Sequence, residues 1–264
     1  MTLNLSDCLD AAIAAARAAA TELESWRSRF TIWEKGRADL VTEADLAAQL
    51  AARTLLSERF PEHRFLGEED GVAPPRPVDD APPTWIVDPL DGTTNYVHDV
   101  PAYCVSIGLY VNGDVPVGVV FDPRQDELFV GVAGRGATLN GRPIRTSSVA
   151  SLDQALLATG FPPNLVGEER QLDWWRYFAL RSQAVRRTGS TALNLVYVAA
   201  GRFDGYWGFD NKPWDVAGSI PIIREAGGQI TAIDGGPYNC FVRPLVATNG
   251  PLHPVMLAAL RDGP

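Results

Sequence analysis

Three cysteines and three histidines in 264 residues leave little room for thiol or imidazole chemistry. Cys8, Cys104 and Cys240 are odd in number and far apart, with no Cys-x-x-Cys, so they offer neither a disulfide framework nor a thiolate metal site. Three small buried thiols in a reducing cytoplasm are expected instead. His63, His98 and His253 are too scattered for a Ser/His/Asp or Cys/His arrangement. Long apolar runs are also missing. The longest stretch free of Asp, Glu, Lys and Arg is 244–260, which contains Pro244, Pro251 and Pro254, whereas a membrane span needs about 20 predominantly apolar residues. The first ten residues, MTLNLSDCLD, carry acid where an export signal carries base, so a cytoplasmic location is expected. Basic charge is short as well: 23 Lys+Arg against 32 Asp+Glu give a formal charge of −9. That balance argues against nucleic-acid and anionic-membrane partners, both of which reward basic surfaces.

What is present is globular. Apolar residues make up 46% and charged residues 21%, and 264 residues correspond to one large domain or two ordinary ones. Leu5, Leu9, Ile13, Ala16, Ala20, Leu23 and Trp26 recur at intervals of three and four, which predicts a long amphipathic helix over 5–30. Thr42-Glu43-Ala44-Asp45 reads as a capping box opening a second helix that Pro61 stops. Residues 65–67 read as a short strand, and 71–83, with five prolines, as a surface loop. Strands are expected at 85–87, 104–111, 115–121 and 127–131, with hairpin turns at Asn112-Gly113 and Asn140-Gly141. From about residue 150, strands (155–159, 229–233, 245–248) alternate with helices (168–180, 191–200, 214–226 and a short terminal one), suggesting a separate α/β lobe.

Chemistry concentrates in Trp85-Ile86-Val87-Asp88-Pro89-Leu90-Asp91-Gly92-Thr93-Thr94-Asn95. An apolar strand runs into two aspartates three apart, with Pro89 set to fix a turn and Gly92 permitting close backbone approach. Oxygen-only ligands on such a segment suit Mg²⁺. Backbone N–H groups after Asp91 are placed to face an anion. Two further acidic clusters, Gly67-Glu68-Glu69-Asp70 and Trp214-Asp215-Val216-Ala217-Gly218, also lie at element ends. Each alone reads as a turn or a helix cap; together they describe a loop-built, metal-dependent site.

With those blocks, Asp39-Leu40-Val41-Thr42-Glu43-Ala44-Asp45, Gly189-Ser190-Thr191-Ala192 and Glu225-Ala226-Gly227-Gly228, the chain resembles the inositol monophosphatase family of the lithium-sensitive, magnesium-dependent sugar phosphatases. The resemblance implies a layered αβαβα sugar-phosphatase fold of the α/β class, with an α+β metal-binding lobe over 1–148 and an α/β substrate lobe over 149–264. It implies two or three Mg²⁺ ions. Glu68, Asp88 and the Leu90 carbonyl match the ligands of the first metal; Asp88, Asp91 and Asp215 match those of the second, with Asp88 bridging. Lys35 matches a basic residue linked to a third, weaker metal. Thr93 with Glu68 matches the pair that activates the attacking water, and Asp45 an acid beside that Thr. Asp91 belongs to this catalytic group too. Gly92 and Thr93 amides match a phosphate cradle, and Gly189, Ser190, Thr191, Asp91 and Asp215 match substrate contacts. A homodimer acting on a small phosphorylated substrate follows from the same likeness.

One position departs from the pattern. Where inositol-specific members carry a Glu, seven residues before the Trp-Asp aspartate, this chain has Gly208. Asp210 is a candidate substitute, and Trp207 and Phe209 are candidates for an apolar wall or for core. The expected reaction is therefore Mg²⁺-dependent hydrolysis of a small polyol phosphate such as myo-inositol monophosphate. The alternatives are histidinol phosphate, a sugar phosphate or adenosine 3',5'-bisphosphate by the same chemistry, or a non-catalytic regulatory role. Trp174-Trp175-Arg176-Tyr177-Phe178 is read as part core, part interface, with Arg181, Arg186 and Arg187 nearby as a solvated face, or as contacts to acids of a partner chain or to the substrate's periphery. Each bound Mg²⁺ would remove two units of the −9 charge, leaving about −5 with two ions and −3 with three.

Overall fold

Alanine decides how the first two helices meet. In the computed structural model, which describes residues 3–37, 39–71 and 81–264, helix α1 (Leu5–Trp26) begins on Asn4, whose side chain accepts the Ser6 N–H at 3.1 Å. Its buried stripe is Cys8, Ala11, Ala12, Ala15, Ala16, Ala19, Ala20 and Leu23. A hairpin of β1 (Ile32–Gly36) and β2 (Asp39–Thr42) leads into α2 (Glu43–Arg59), whose buried face is again small, with Ala44, Ala48 and Ala52. Side chains at the contact set the distance between helix axes, so this pair packs closely over one face of a sheet.

That sheet contains β3 (Arg64–Gly67), β4 (Thr84–Asp91), β5 (Cys104–Val111), β6 (Asp114–Asp122), β7 (Glu127–Val132), β8 (Ala137–Leu139) and β9 (Arg142–Pro143), in sequence order. β3 and β4 are parallel; the remaining pairs form an antiparallel meander. A short helix, α3 (Thr93–Val97), follows β4. Asn112-Gly113 and Asn140-Gly141 take positive φ, as the hairpin reading requires. The proline-rich reading at 71–83 falls mostly on 72–80, outside the described residues.

A second, five-stranded sheet comprises β10 (Leu156–Thr159), β11 (Ala184–Arg186), β12 (Gly205–Gly208), β13 (Gln229–Ala232) and β14 (Leu245–Thr248), in the order β11-β10-β12-β14-β13. β10 is parallel to β11 and β12, and β14 is antiparallel to both its neighbours. Helices α5 (Thr191–Ala199), α6 (Pro213–Ala217) and α7 (Ser219–Glu225) lie between the two sheets in a shared core. Helices α4 (Arg170–Ala179) and α8 (His253–Asp262) cover the far face of the second sheet. The layers therefore run αβαβα. No helix among the described residues is long and apolar enough to cross a membrane.

The helix expected over 214–226 is two helices. Pro221 has no N–H to offer the Ala217 carbonyl, so the ladder breaks at Gly218. The break is seated on a strip of glycines. Gly108, Gly118 and Gly131 stand opposite one another on β5, β6 and β7. A methyl group on Gly118 would come within 2.1 Å of the Gly218 carbonyl oxygen, and one on Gly108 within 2.7 Å of Ala217. The backbones of α6 and α7 thus rest directly on the sheet, and α6 carries Asp215. Gly118→Ala should cost about 2 kcal/mol, roughly 5 °C in Tm, because the contact is backbone on both sides and nothing flexible can yield. Urea unfolding that leaves the variant as stable as the parent would show that the strip does not seat these helices.

Candidate active site

β3 and β4 end side by side, and the acids cluster at their carboxyl ends. Glu68 opens the single 3-10 turn (Glu68–Asp70) after β3. Asp88 and Asp91 lie within β4, where a turn around Pro89 was expected. Residues three apart in a regular strand face opposite sides. Here Asp88 pairs with Ser106 and Asp91 with Cys104, three residues against two, so β4 bulges by one residue at Pro89-Leu90. The bulge restores parity and puts both aspartates on the interlayer face. Proline fits it because no ladder hydrogen bond is asked of its nitrogen.

Four of the acids accept from backbone N–H groups. The Asp88 carboxylate accepts the Leu90 N–H at 3.0 Å. Asp91 reaches across to the N-terminus of α5, where Oδ2 accepts from the Ser190 hydroxyl and the Ala192 N–H, both at 2.6 Å, and Oδ1 from the Thr191 N–H at 3.2 Å. Asp215, in the first turn of α6, accepts the Lys212 N–H at 2.7 Å. Asp45 completes the capping box of α2: Oδ2 accepts the Thr42 N–H at 2.8 Å and the Thr42 hydroxyl at 2.6 Å. Its other oxygen lies 3.1 Å from the Thr93 hydroxyl, which is also 3.2 Å from the Leu90 carbonyl oxygen. Gly92, at φ 106°, turns the chain from β4 into α3. The Tyr96 hydroxyl anchors α3 to the Leu23 carbonyl of α1 at 2.6 Å.

The loop before α5 is held by a residue whose role the sequence did not disclose. Asn95 Nδ2 donates to the carbonyls of Ala102 (2.6 Å) and Thr188 (2.8 Å), which ties α3 to the Gly189 loop. Gly189 sits at φ 94°, where a side chain would collide with that amide.

Burial dominates the electrostatics, and like charge adds to it. Burial, then the charges of Glu68, Asp91 and Asp215, pushes the Asp88 carboxyl well above the usual range. Burial raises Glu68 to about 7, against the pull of Lys35. Burial, Asp91 and Glu68 also raise Asp215 well above its ordinary value. Asp91 is raised by burial despite the Ser190 hydroxyl and the helix amides. Burial likewise lifts Asp45 over the opposing effect of Thr42. The chain has two lysines, and both line the cleft. Lys35 Nζ pairs with Glu69 at 2.6 Å and lies 3.5 Å from Glu68.

These groups face two adjoining cavities. The inner one, about 300 Å³, is walled by Glu68, Asp88, Leu90, Asp91, Gly92, Thr93, Gly189, Arg187 and Asp215. The outer one, about 480 Å³, shares Glu68, Phe161 and Asp215 and adds Thr191, Arg37, Phe209, Asp210 and Lys212. The donor set is all oxygen, and burial together with the like charge around Asp88 and Asp215 disfavours its ionised form, which a hard cation relieves. As the side chains stand, no three acid, imidazole or thiol groups among the described residues are disposed around one point for an ion. The oxygens of Asp91 are engaged at α5, and Lys35 stands beside Glu68. The chemistry of the donor set fits Mg²⁺.

Around Gly208 the structure separates the candidates. A side chain there would meet the Asn211 amide and the Tyr206 hydroxyl within 2.6 Å. Asp210 lines the outer cavity, held by Lys212 at 3.1 Å and Arg243 at 2.7 Å. Phe209 lines it as well, but Trp207 does not: it is fully buried against Phe178 on the far face of the sheet. Trp174 and Phe178 are also core, Trp175 is exposed, and Arg187 alone of the three nearby arginines lines the inner cavity.

The sequence pattern that defines the inositol monophosphatase family matches residues 4–263. Inositol-1-monophosphatase of Synechocystis is 44% identical, covering 99% of this chain and 91% of that protein. The Nus factor SuhB of Escherichia coli is 38% identical, covering 87% and 85%. Among solved structures, inositol monophosphatase from Anabaena superimposes with a TM-score of 0.86 at 39% identity, over 99% and 98% of the two chains. An IMPase/NADP phosphatase complexed with Mg²⁺ and phosphate gives 0.81 at 26% identity, over 92% and 91%. Matched over nearly its whole length in both sequence and fold, the chain belongs to the inositol monophosphatase family, a family of phosphoric monoester hydrolases.

Proposed function

We propose that this chain is a Mg²⁺-dependent phosphatase of a small polyol monoester such as myo-inositol monophosphate. The observation that carries the reading is the convergence of Glu68, Asp88, Asp91 and Asp215 on one cavity beside the Gly92-Thr93 turn. Glu68, Asp88, the Leu90 carbonyl, Asp91 and Asp215 are the residues that would hold two or three ions. When bound, Mg²⁺ neutralises these carboxylates and the ester, and makes water a stronger acid.

The chain's own groups then position and activate. Thr93 has one hydroxyl proton, and giving it to Asp45 or to the Leu90 carbonyl leaves its lone pairs free to accept from a water. Glu68 has the basicity to take that water's proton. The Gly92 and Thr93 amides stand at the turn where the phosphate is held. Gly189, Ser190 and Thr191 contact the alcohol, with Asp91 and Asp215 at its inner edge. Positioning and electrostatics of this kind carry phosphoryl transfer without a side-chain nucleophile. With the space beside Gly208 filled by Asn211, Asp210 is the acid left to contact the polyol, and other small phosphate esters remain candidate substrates. A regulatory role is the second reading, favoured by the likeness to a Nus factor; the full set of acids favours the enzyme. The reading also divides the chain into lobes 1–148 and 149–264, one sheet in each, and takes it as a cytoplasmic homodimer.

Phosphate release from myo-inositol monophosphate should require Mg²⁺, stop in excess chelator and be inhibited by lithium. Asp88→Asn should lower turnover at least about 100-fold. Near-normal activity in that variant, or full activity in chelator, would overturn the assignment.

Stability should move the other way. Glu68 is raised in the fold from its ordinary 4.5 to about 7, so the folded state binds more protons than the unfolded chain between those values. The stability tied to it is full below pH 4.5 and is lost as pH rises through about 7. In chelator, Tm should therefore fall from pH 5 to pH 7.5. Asp88→Asn should raise Tm at pH 7.5, and Mg²⁺ should raise Tm more in the parent than in the variant. A flat pH profile in chelator would show that the carboxylates do not repel one another as argued.

A further inference from the structure

Asp45, Asp88, Asp91 and Asp215 each accept a backbone N–H, whereas none among the described residues donates to the Glu68 side chain. Its place is set instead by the turn that carries it (Glu68–Asp70), and that turn is held from α2. Gln49, 7% exposed, reaches it with both ends of its amide. Oε1 accepts the Glu69 N–H at 2.9 Å, and Nε2 donates to Asp70 Oδ1 at 3.0 Å. Asp70 closes the turn from its other side, where Oδ2 accepts the Gly67 N–H at 3.0 Å, and Arg53 pairs with it from the next turn of α2. A side chain on Gly67 would collide with the Gln49 amide, so the end of β3 runs directly against it.

Gln49 lies one helical turn after Asp45, on the same side of α2. Asp45 is the acid 3.1 Å from the Thr93 hydroxyl. One rigid helix therefore touches both members of the pair assigned to the attacking water: Thr93 through Asp45, and the Glu68 turn through Gln49. The demand on position 49 is chemical as well as steric. The turn calls for an acceptor for one N–H and a donor for one carboxylate, and a side-chain amide offers both. Methionine has similar length and no N–H to give. Glutamate keeps the acceptor but sets a second carboxylate against Asp70.

We propose that Gln49 is a positioning residue for Glu68, fixing its separation from Thr93 and with it the affinity of the site for Mg²⁺. The proposal rests on the roles given above to Glu68 and Thr93. Groups that orient a metal ligand in this way are worth about 10–100-fold in affinity or activity.

The test measures two quantities on the full chain: Mg²⁺ binding by calorimetry, and phosphate release from myo-inositol monophosphate. Gln49→Met should weaken Mg²⁺ binding about tenfold and lower kcat about tenfold. KM for the ester should stay within about twofold, because the contacts to phosphate and polyol stand on other segments. Gln49→Glu should behave alike. Adding Asp70→Asn to Gln49→Glu exchanges amide and carboxylate, which restores both bonds and leaves Arg53 an acid to pair with four residues earlier on α2. The exchanged pair should recover most of the lost Mg²⁺ affinity and kcat. A lower Tm in Gln49→Met with unchanged Mg²⁺ affinity would show that Gln49 only stabilises the fold, and would overturn the proposal. So would an exchanged pair no better than Gln49→Glu alone. A parent that binds Mg²⁺ but releases no phosphate would sink the proposed activity, while the comparison of Mg²⁺ affinities would still decide the role of Gln49.

Discussion

Four carboxylates held in one cleft between two sheets are the constraint on which the rest of the structure depends. Burial and like charge both work against them, and the fold answers with donors. Asp91 sits on the N-terminal amides of α5, Asp215 on the backbone N–H of Lys212, and Asp45 inside the capping box of α2. Helix N-termini favour negative charge, so each helix start does double duty: it closes its own first turn and holds an acid at a set place. What these donors leave uncompensated is the charge available for a cation.

Backbone geometry delivers those acids, and two devices do most of it. The one-residue bulge in β4 turns Asp88 and Asp91 to the same side. The row of Gly108, Gly118 and Gly131 removes every side chain that would lift α6 and α7 off the sheet. Without the first, the acids would face opposite layers. Without the second, Asp215 would stand farther from the other three. Asn95 joins the two sides by bonding to loops that precede β5 and α5.

On the proposed reading, the outer cavity selects the alcohol. Its wall mixes Phe161 and Phe209 with Asp210 and Lys212, Asp210 being clamped by Lys212 and by Arg243 behind it, and the place beside Gly208 is taken by Asn211. A charged triad of this kind presents both a donor and an acceptor, which suits a hydroxylated leaving group.

The long helices, the hairpin turns, the meander and the acidic motifs were legible in the sequence because each rests on local physics: periodicity, caps, positive φ at Asn-Gly, and strings of acids at element ends. The family likeness adds Glu68, Asp88, Asp91, Thr93 and Asp215 as the residues expected at the site. Other features depended on partners far away in the chain. The split at Gly218 follows from Pro221 together with a glycine strip on three strands, and Trp207 turned outward because strand alternation put it on the α4 side. Asn95 carries no local signature at all, and nothing local separates Arg187 from Arg181 and Arg186. The sequence by itself determined which acids and hydroxyls stand at the ends of elements, since that is written in residue type and short spacing. Only the tertiary structure decided which face each acid presents, what fills the space at Gly208 and which side chains wall the cleft, because those are set by packing between segments a hundred residues apart.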